Sequence, residues 1–145
     1  MRQVLQRLQD AAPSAFAEFP VAFAYLFGSH ATGKATDCSD VDVAVHLAAT
    51  AEDHLSLRFE LAEALEHQAR IGPIEVVILD EAPIALAGRI YLEGKLFYSI
   101  DEVKRVRYES LTGRMYHDFR YHESKIARER LKRMASSGPA ERTDG

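Results

Sequence analysis

The sequence predicts an α/β (α+β) domain, a small mixed β-sheet with flanking helices. Three observations lead to this prediction. Short apolar runs of strand length alternate along the chain with longer segments of helical periodicity. The 145 residues are enough for one domain with one modest core. The hydrophobic fraction of 47% and the charged fraction of 28% are ordinary for a globular protein.

The first half of the chain alternates helix and strand. Apolar residues at helical spacing predict a first helix from about residue 2, ended by Pro13. The run 21–27 is apolar throughout, which is typical of a strand covered on both faces. Over 40–47 the alternation is strict, so one strand face is apolar and the other carries Asp40 and Asp42. The twelve residues between these strands fit either a parallel or an antiparallel pair.

The second half continues the same pattern. A leucine stripe predicts a helix over 51–70, which Gly72-Pro73 ends. A third strand follows at 74–79, then a short helix at 82–93 and a short edge strand at 95–98.

The last predicted element is a long amphipathic helix. Ser99 to Glu102 form a capping box that opens it, and it runs to about Ala135 with Gly113 as a weak point. We therefore divide the chain into a domain at 1–100, a helix at 101–135 that packs on it, on a partner, or on both, and a disordered tail at 136–145. One face of the helix carries Leu111, Met115, Phe119, His122 and Ile126.

Charge is distributed unevenly along the chain. The net charge is −4, yet residues 104–133 hold ten Lys or Arg against four acids, so this segment is +6. Such a segment indicates either a charged partner or a solvated amphipathic helix.

The composition also bears on the compartment. No apolar run reaches the length of a membrane span, and the N-terminus lacks the apolar core of a signal peptide. Cys38 is the only cysteine, which rules out an intrachain disulfide. We expect a cytoplasmic protein without membrane contact.

Three acids are candidates for chemistry. Asp40 and Asp42 alternate on one strand and project from the same face, where like charges repel. A bound Mg²⁺ resolves the repulsion, and Glu75, inside a predicted buried strand, can join them on a neighbouring strand to hold two metal ions. The alternatives are a solvent-facing aspartate pair and an edge-strand glutamate that faces water.

The turn after the first strand is a candidate phosphate site. Gly28 permits close backbone approach, and Ser29 adds a hydroxyl and an N–H group. A helix that starts here favours a phosphate at its N-terminus. Gly33 continues the turn, and Lys34 adds positive charge towards a polyphosphate.

These residues resemble a known family. Gly28-Ser29, ten residues, then Asp40-x-Asp42 is similar to the G-S-x10-D-x-D signature of the DNA polymerase β-like nucleotidyltransferases, and the small size resembles the minimal nucleotidyltransferase (MNT) group. The strand with Glu75 resembles the one that carries the third acid of that family. The segment 90–98 resembles its recurrent I-x-x-E-G-x-x-x-Y motif.

The resemblance implies roles for the site residues. Asp40 and Asp42 would hold Mg²⁺, with Glu75 as the third carboxylate that helps to deprotonate an acceptor hydroxyl. Gly28 and Ser29 would grip the terminal phosphates of a nucleotide.

Two positions depart from the family pattern. Glu75 stands where Asp is commoner, and Thr32 stands where many members have Arg. Lys34 and His30 are then the remaining cations for the phosphates.

The resemblance also implies a function. Chains of this size are similar to the antitoxins of HEPN/MNT toxin–antitoxin pairs, which use ATP to place AMP on a tyrosine of a HEPN ribonuclease. The partner would be that toxin, in a hetero-oligomer contacted by the basic last helix with Tyr108, Tyr116 and Tyr121 exposed. The alternatives are an aminoglycoside-type enzyme for small molecules and an antitoxin that blocks its partner without catalysis. A nucleic-acid partner is not expected, because no further domain is present to hold a template.

Overall fold

The chain folds as a mixed sheet with helices on both faces. The structure is a computed structural model that describes the backbone of residues 2–144 and the side chains of residues 3–136. The elements are α1 (Arg2–Ala15), β1 (Val21–Phe27), α2 (Ser29–Thr32), β2 (Val41–Leu47), α3 (His54–Ala69), β3 (Ile74–Ile78), α4 (Ile84–Glu93), β4 (Lys95–Ser99) and α5 (Glu102–Asp144).

The described strands form one sheet in the order β3-β2-β1-β4. β1 is antiparallel to both β2 and β4, whereas β2 is parallel to β3. The relation between β1 and β2, which the sequence left open, is therefore antiparallel. The short helix α2 and the turn after it reverse the chain between these two strands. The predicted mixed sheet with flanking helices is confirmed.

Alternation along β2 divides the core into two layers. Val43, Val45 and Leu47 are fully or almost fully buried in a cluster that α1 and α3 cover. Ala44, on the opposite face, belongs to a second cluster beneath α4 with Phe23 of β1. Asp42 extends this second face towards the start of β2, where burial is only partial. The alternating pattern thus carries Asp42 to the rim of the sheet.

Helix α1 runs past Pro13, where the sequence analysis ended it. The helix continues to Ala15, and the N–H of Phe16 still donates to the carbonyl of Ala12 (2.9 Å). Proline removes one intrahelical hydrogen bond. Burial of Ala12, Ala15 and Phe16 offsets that loss.

Helix α5 packs on the domain through a different face from the predicted one. Leu111 and Met115 are about half exposed, whereas Thr112 is buried. The Tyr108 ring lies 5.5 Å from that of Phe23, and both Tyr108 and Tyr116 are half-buried, so of the three tyrosines expected to be exposed only Tyr121 is. The tail predicted at 136–145 lies, apart from its first residue, outside the residues whose side chains are described, and its disorder stays a prediction.

None of the helices, within the residues described, combines the length and apolarity needed to cross a membrane.

Candidate active site

Asp42 lies between two neighbouring strands at the rim of the sheet. It pairs with Phe27 of antiparallel β1 on one side and with Glu75 of parallel β3 on the other. Residues in register on adjacent strands are about 5 Å apart and point to the same face. The pairing therefore brings Glu75 beside Asp42, as the sequence analysis predicted. Asp40 lies two residues earlier, just before β2 begins.

The carboxylates influence one another. The pKa of Asp42 is raised above its ordinary value, first because the group is partly buried, then because Glu75 and Asp40 add negative charge nearby. His30 opposes the shift. A negative charge on Asp42 is thus unfavourable in the protein alone.

Glu75 is exposed, which corrects the expectation of a carboxylate in a buried strand. β3 is the outer strand of the sheet, and its Ile74, Val76 and Ile78 point into the core while Glu75 points away. The edge position explains how an acid is tolerated in so apolar a run, because water reaches its carboxylate.

Gly28 lies against Asp42 on the β1 side. Its φ of 74° is in the left-handed region, and a Cβ on Gly28 would overlap the Asp42 carboxylate and lie 3.1 Å from its Cγ. Only glycine permits this approach without strain. The end of β1 and the start of α2 are therefore held directly beside the acid.

The turn after Gly28 is closed by local hydrogen bonds. The Lys34 N–H donates to the carbonyl of Ser29 (3.0 Å), and Gly33 ends α2 with a φ of 79°. Lys34 is exposed, as is Thr32, whose hydroxyl donates to the carbonyl of Gly28 (3.4 Å). Thr32, which replaces the Arg of many family members, is thus engaged within its own helix.

His30 joins this turn to the segment before Asp40. Its Nε2 lies 3.3 Å from the carbonyl oxygen of Ser39, and its ring is half-buried. The charge of His30 also acts on Asp42, since it lowers the pKa of that acid.

A divalent cation needs oxygen ligands that converge on one point. Within the described part of the chain, no three His, Cys, Asp or Glu side chains converge as a metal-binding cluster, so the three acids do not form the compact ligand set that the sequence analysis expected. Mg²⁺, however, is usually held by one or two carboxylates together with substrate phosphates. Asp42 and its register neighbour Glu75 fit that requirement, because a cation relieves their mutual repulsion.

A cavity of about 370 Å³ opens beside these acids. It lies between α3 and the outer edge of β3, and it is lined by Asp40, Arg58, Phe59, Ala62, Ile74, Glu75 and Val76. The sequence analysis missed Arg58 and Phe59. One signal could have revealed Phe59: it is an aromatic residue that lies outside the core-facing stripe of Leu57, Leu61 and Leu65 on α3. Larger hollows, one between α1 and α3 and three between α4 and α5, lie away from the acids.

Comparisons with known proteins agree with the fold. A family model described as "Polymerase beta, Nucleotidyltransferase" matches residues 13–103. No protein of curated function is similar enough in sequence to match.

Several solved structures resemble the chain at low sequence identity. A chain from "Crystal structure of the toxin-antitoxin with AMP-PNP" is 23% identical with a TM-score of 0.67, covering 85% of this chain and 98% of its own. A chain of the complex of tri-AMPylated Shewanella oneidensis HEPN toxin with MNT antitoxin is 22% identical with a TM-score of 0.63, covering 88% and 98%. A chain of the MntA–HepT toxin–antitoxin is 22% identical with a TM-score of 0.63, covering 87% and 98%.

Proposed function

Because the chain belongs to the polymerase β-like nucleotidyltransferase family, we propose that it transfers AMP from ATP to a tyrosine hydroxyl of a HEPN toxin and thereby neutralises it. The placement of Asp42 between Gly28 and Glu75 carries this proposal, because it sets a phosphate-binding turn and a base on either side of one carboxylate. One similar complex contains an ATP analogue and another contains an AMPylated HEPN toxin. ATP as donor places the reaction in the cytoplasm.

The nucleotide binds on the β1 side. Gly28 lets the backbone reach the triphosphate, and Ser29 offers its hydroxyl and N–H group. Lys34, exposed on the same turn, and His30 supply positive charge in place of the Arg that Thr32 replaces. Gly33 closes the turn so that these groups face one ligand.

Asp42 and Glu75, with Asp40 two residues before Asp42, are the groups that would hold Mg²⁺, which would neutralise phosphate charge and favour departure of pyrophosphate. The raised pKa of Asp42 means that a bound cation would favour its charged form.

The transfer itself is an in-line substitution at phosphorus. The tyrosine oxygen attacks the α-phosphorus of ATP, the bond from that phosphorus to the β-phosphate bridging oxygen breaks, and pyrophosphate leaves. Glu75 takes the proton of the hydroxyl, because it is an exposed carboxylate on the side of Asp42 opposite the nucleotide turn.

We assign the outer face of α5 to the toxin. Its described part beyond Tyr116 is exposed except at Phe119 and mixes apolar with basic side chains, a composition that suits a protein interface with acidic neighbours. The large apolar residues exposed there are Tyr121, Ile126, Leu131 and Met134, and Leu111 and Met115 are exposed earlier on the same helix.

The test is label transfer. The protein is incubated with α-labelled ATP, Mg²⁺ and the product of its neighbouring gene, which the proposal takes to be the HEPN protein, and an Asp40→Asn variant is the control. We expect label on the HEPN protein with the wild type alone. Absence of label from the HEPN protein with both proteins would refute the proposal.

Two related experiments test the alternatives, one with an aminoglycoside as acceptor and one that measures toxicity in cells. Label on an aminoglycoside would indicate a small-molecule enzyme. Neutralisation of the toxin in cells by Asp40→Asn and Asp42→Asn variants would indicate an antitoxin that acts by binding alone.

A further inference from the structure

The direction from which the acceptor arrives follows from the order of the strands. Asp42 lies on β2, with the Gly28 turn on its β1 side and Glu75 on its β3 side. In-line substitution requires the attacking oxygen and the leaving pyrophosphate on opposite sides of phosphorus. If the triphosphate lies against the Gly28 turn, the acceptor reaches phosphorus from the side of β3.

The cavity between α3 and β3 lies on that side. Asp40 and Glu75 line it together with Phe59 and Arg58 of α3. At about 370 Å³ it is within the size range of ligand sites and large enough for one aromatic side chain. A ring held in the cavity would therefore lie beside two of the three candidate acids.

Phe59 has no structural reason to be aromatic. It is 67% exposed, whereas Leu57 and Leu61 on the same helix are buried in the core. About two-thirds of its surface is thus unused by the fold, in a cavity that Asp40 and Glu75 also line. An exposed phenyl ring in this position provides a flat apolar surface for a second ring.

Arg58 is held in place beside it. Its Nε–H donates to the carbonyl oxygen of Val76 on the outer edge of β3 (3.0 Å), and the described residues show no further hydrogen bond or ion pair of this side chain. The guanidinium plane is thereby fixed to the sheet while its terminal N–H groups are left for a ligand. Arginine and phenylalanine both stack on aromatic rings, which favours an aromatic acceptor over serine or threonine.

We propose that this cavity is the acceptor subsite, and that Phe59 and Arg58 are positioning residues that stack on the ring of the partner's tyrosine. The inference rests on the proposed function and adds where the acceptor ring binds. Phe59 and Arg58 hold the ring, and Asp40 and Glu75, which line the same cavity, receive the hydroxyl. The partner segment enters along β3, away from the nucleotide turn.

The test measures KM for the HEPN protein and KM for ATP separately. Rates of label transfer from α-labelled ATP to the HEPN protein encoded beside this chain are measured for the wild type, Phe59→Ala, Phe59→Trp and Leu55→Ala. Leu55 is a matched control, because it is 59% exposed on the same helix and does not line the cavity.

Phe59→Ala should raise KM for the HEPN protein about tenfold, which is the loss expected for one aromatic contact, and leave KM for ATP unchanged. Phe59→Trp should keep a near wild-type KM, and Leu55→Ala should match the wild type. A Phe59→Ala variant with a wild-type KM for the acceptor, or a shared effect of Leu55→Ala, would overturn the subsite alone. If the wild type labels no HEPN protein, the proposed function fails and the subsite fails with it.

Discussion

Asp42 and Glu75 occupy the same register on neighbouring parallel strands, so their carboxylates share one face at the rim of the sheet. Adjacent strands are about 5 Å apart, which is close enough for one charge to raise the pKa of the other. Under the proposed function, these two acids would bind a cation together with phosphate, and Glu75 would accept a proton.

Removal of the Glu75 charge should slow transfer strongly. Glu75→Gln keeps the shape of the side chain but cannot take the acceptor proton, and loss of a general base lowers kcat by about 10² to 10⁴. The rate of AMP transfer to the HEPN protein measures the effect. Glu63→Gln, an exposed acid on α3, is the control and should match the wild type. Equal rates for both variants would exclude Glu75 as the base.

Neutralisation of Asp42 should stabilise the protein when divalent cations are absent. The pKa of Asp42 is raised in the folded state, so the folded protein binds this proton more tightly than the unfolded chain does. Above that pKa the charged form opposes folding, and Asp42→Asn removes the cost. In EDTA near neutral pH, Asp42→Asn should therefore melt at a higher temperature than the wild type.

The same comparison has a pH dependence. As the pH falls through the folded-state pKa of Asp42, the wild type gains stability. The difference in melting temperature between Asp42→Asn and the wild type therefore narrows. It vanishes below about pH 4, the ordinary pKa of aspartic acid, where both states are protonated. Thermal melts across this range check the sign. A difference that widens towards low pH would contradict the account.

Gly28 and Gly33 form a matched pair for the close approach to Asp42. Both have a positive φ, but only a Cβ on Gly28 meets a neighbour, the Asp42 carboxylate. Gly33→Ala should cost about 1 kcal/mol of unfolding free energy from backbone strain. Gly28→Ala should cost more and also abolish transfer, because Asp42 must move. Denaturant melts and transfer rates together check this, and equal losses from both variants would refute it.

Tyr25 and Glu109 couple β1 to α5. The Tyr25 hydroxyl donates to Glu109 Oε2 (2.6 Å), and the Arg105 guanidinium donates to the same oxygen (2.9 Å). Burial and Glu109 raise the pKa of Tyr25, so it stays a donor at neutral pH. Tyr25→Phe should cost about 1.5–3 kcal/mol, the range for hydrogen bonds to charged groups.

A double-mutant cycle with Glu109→Gln isolates this contact. We expect a coupling energy of about 1 kcal/mol from denaturant melts of the four proteins. The control is Tyr91→Phe, at an exposed tyrosine on α4, which should leave the free energy of unfolding unchanged. Additive effects of Tyr25→Phe and Glu109→Gln would mean that the hydrogen bond does not anchor α5.

The site was partly predictable from sequence because local patterns encode it. Strict alternation from Val41 to Leu47 predicted the strand and the face of Asp42, and both are confirmed. The direction of β2 relative to β1 and the exposure of Glu75 were not predictable, because they depend on strand order, which is set by packing of distant segments.

Local signals also failed where tertiary burial outweighed them. Pro13 did not end α1, because buried residues on both sides of it keep the helix intact. Tyr108 was expected on the surface, but it packs against Phe23 and His46. Periodicity alone does not show which of two apolar stripes on a long helix such as α5 meets the domain.

The most direct test is the intact mass of the HEPN protein encoded beside this chain after incubation with ATP and Mg²⁺. With the wild type, the account predicts a mass increase of one or more AMP units, which peptide mapping places on tyrosine. With Asp42→Asn or in EDTA, the mass should not change. An unmodified HEPN protein that the wild type still binds and silences would contradict the claim that this site transfers AMP.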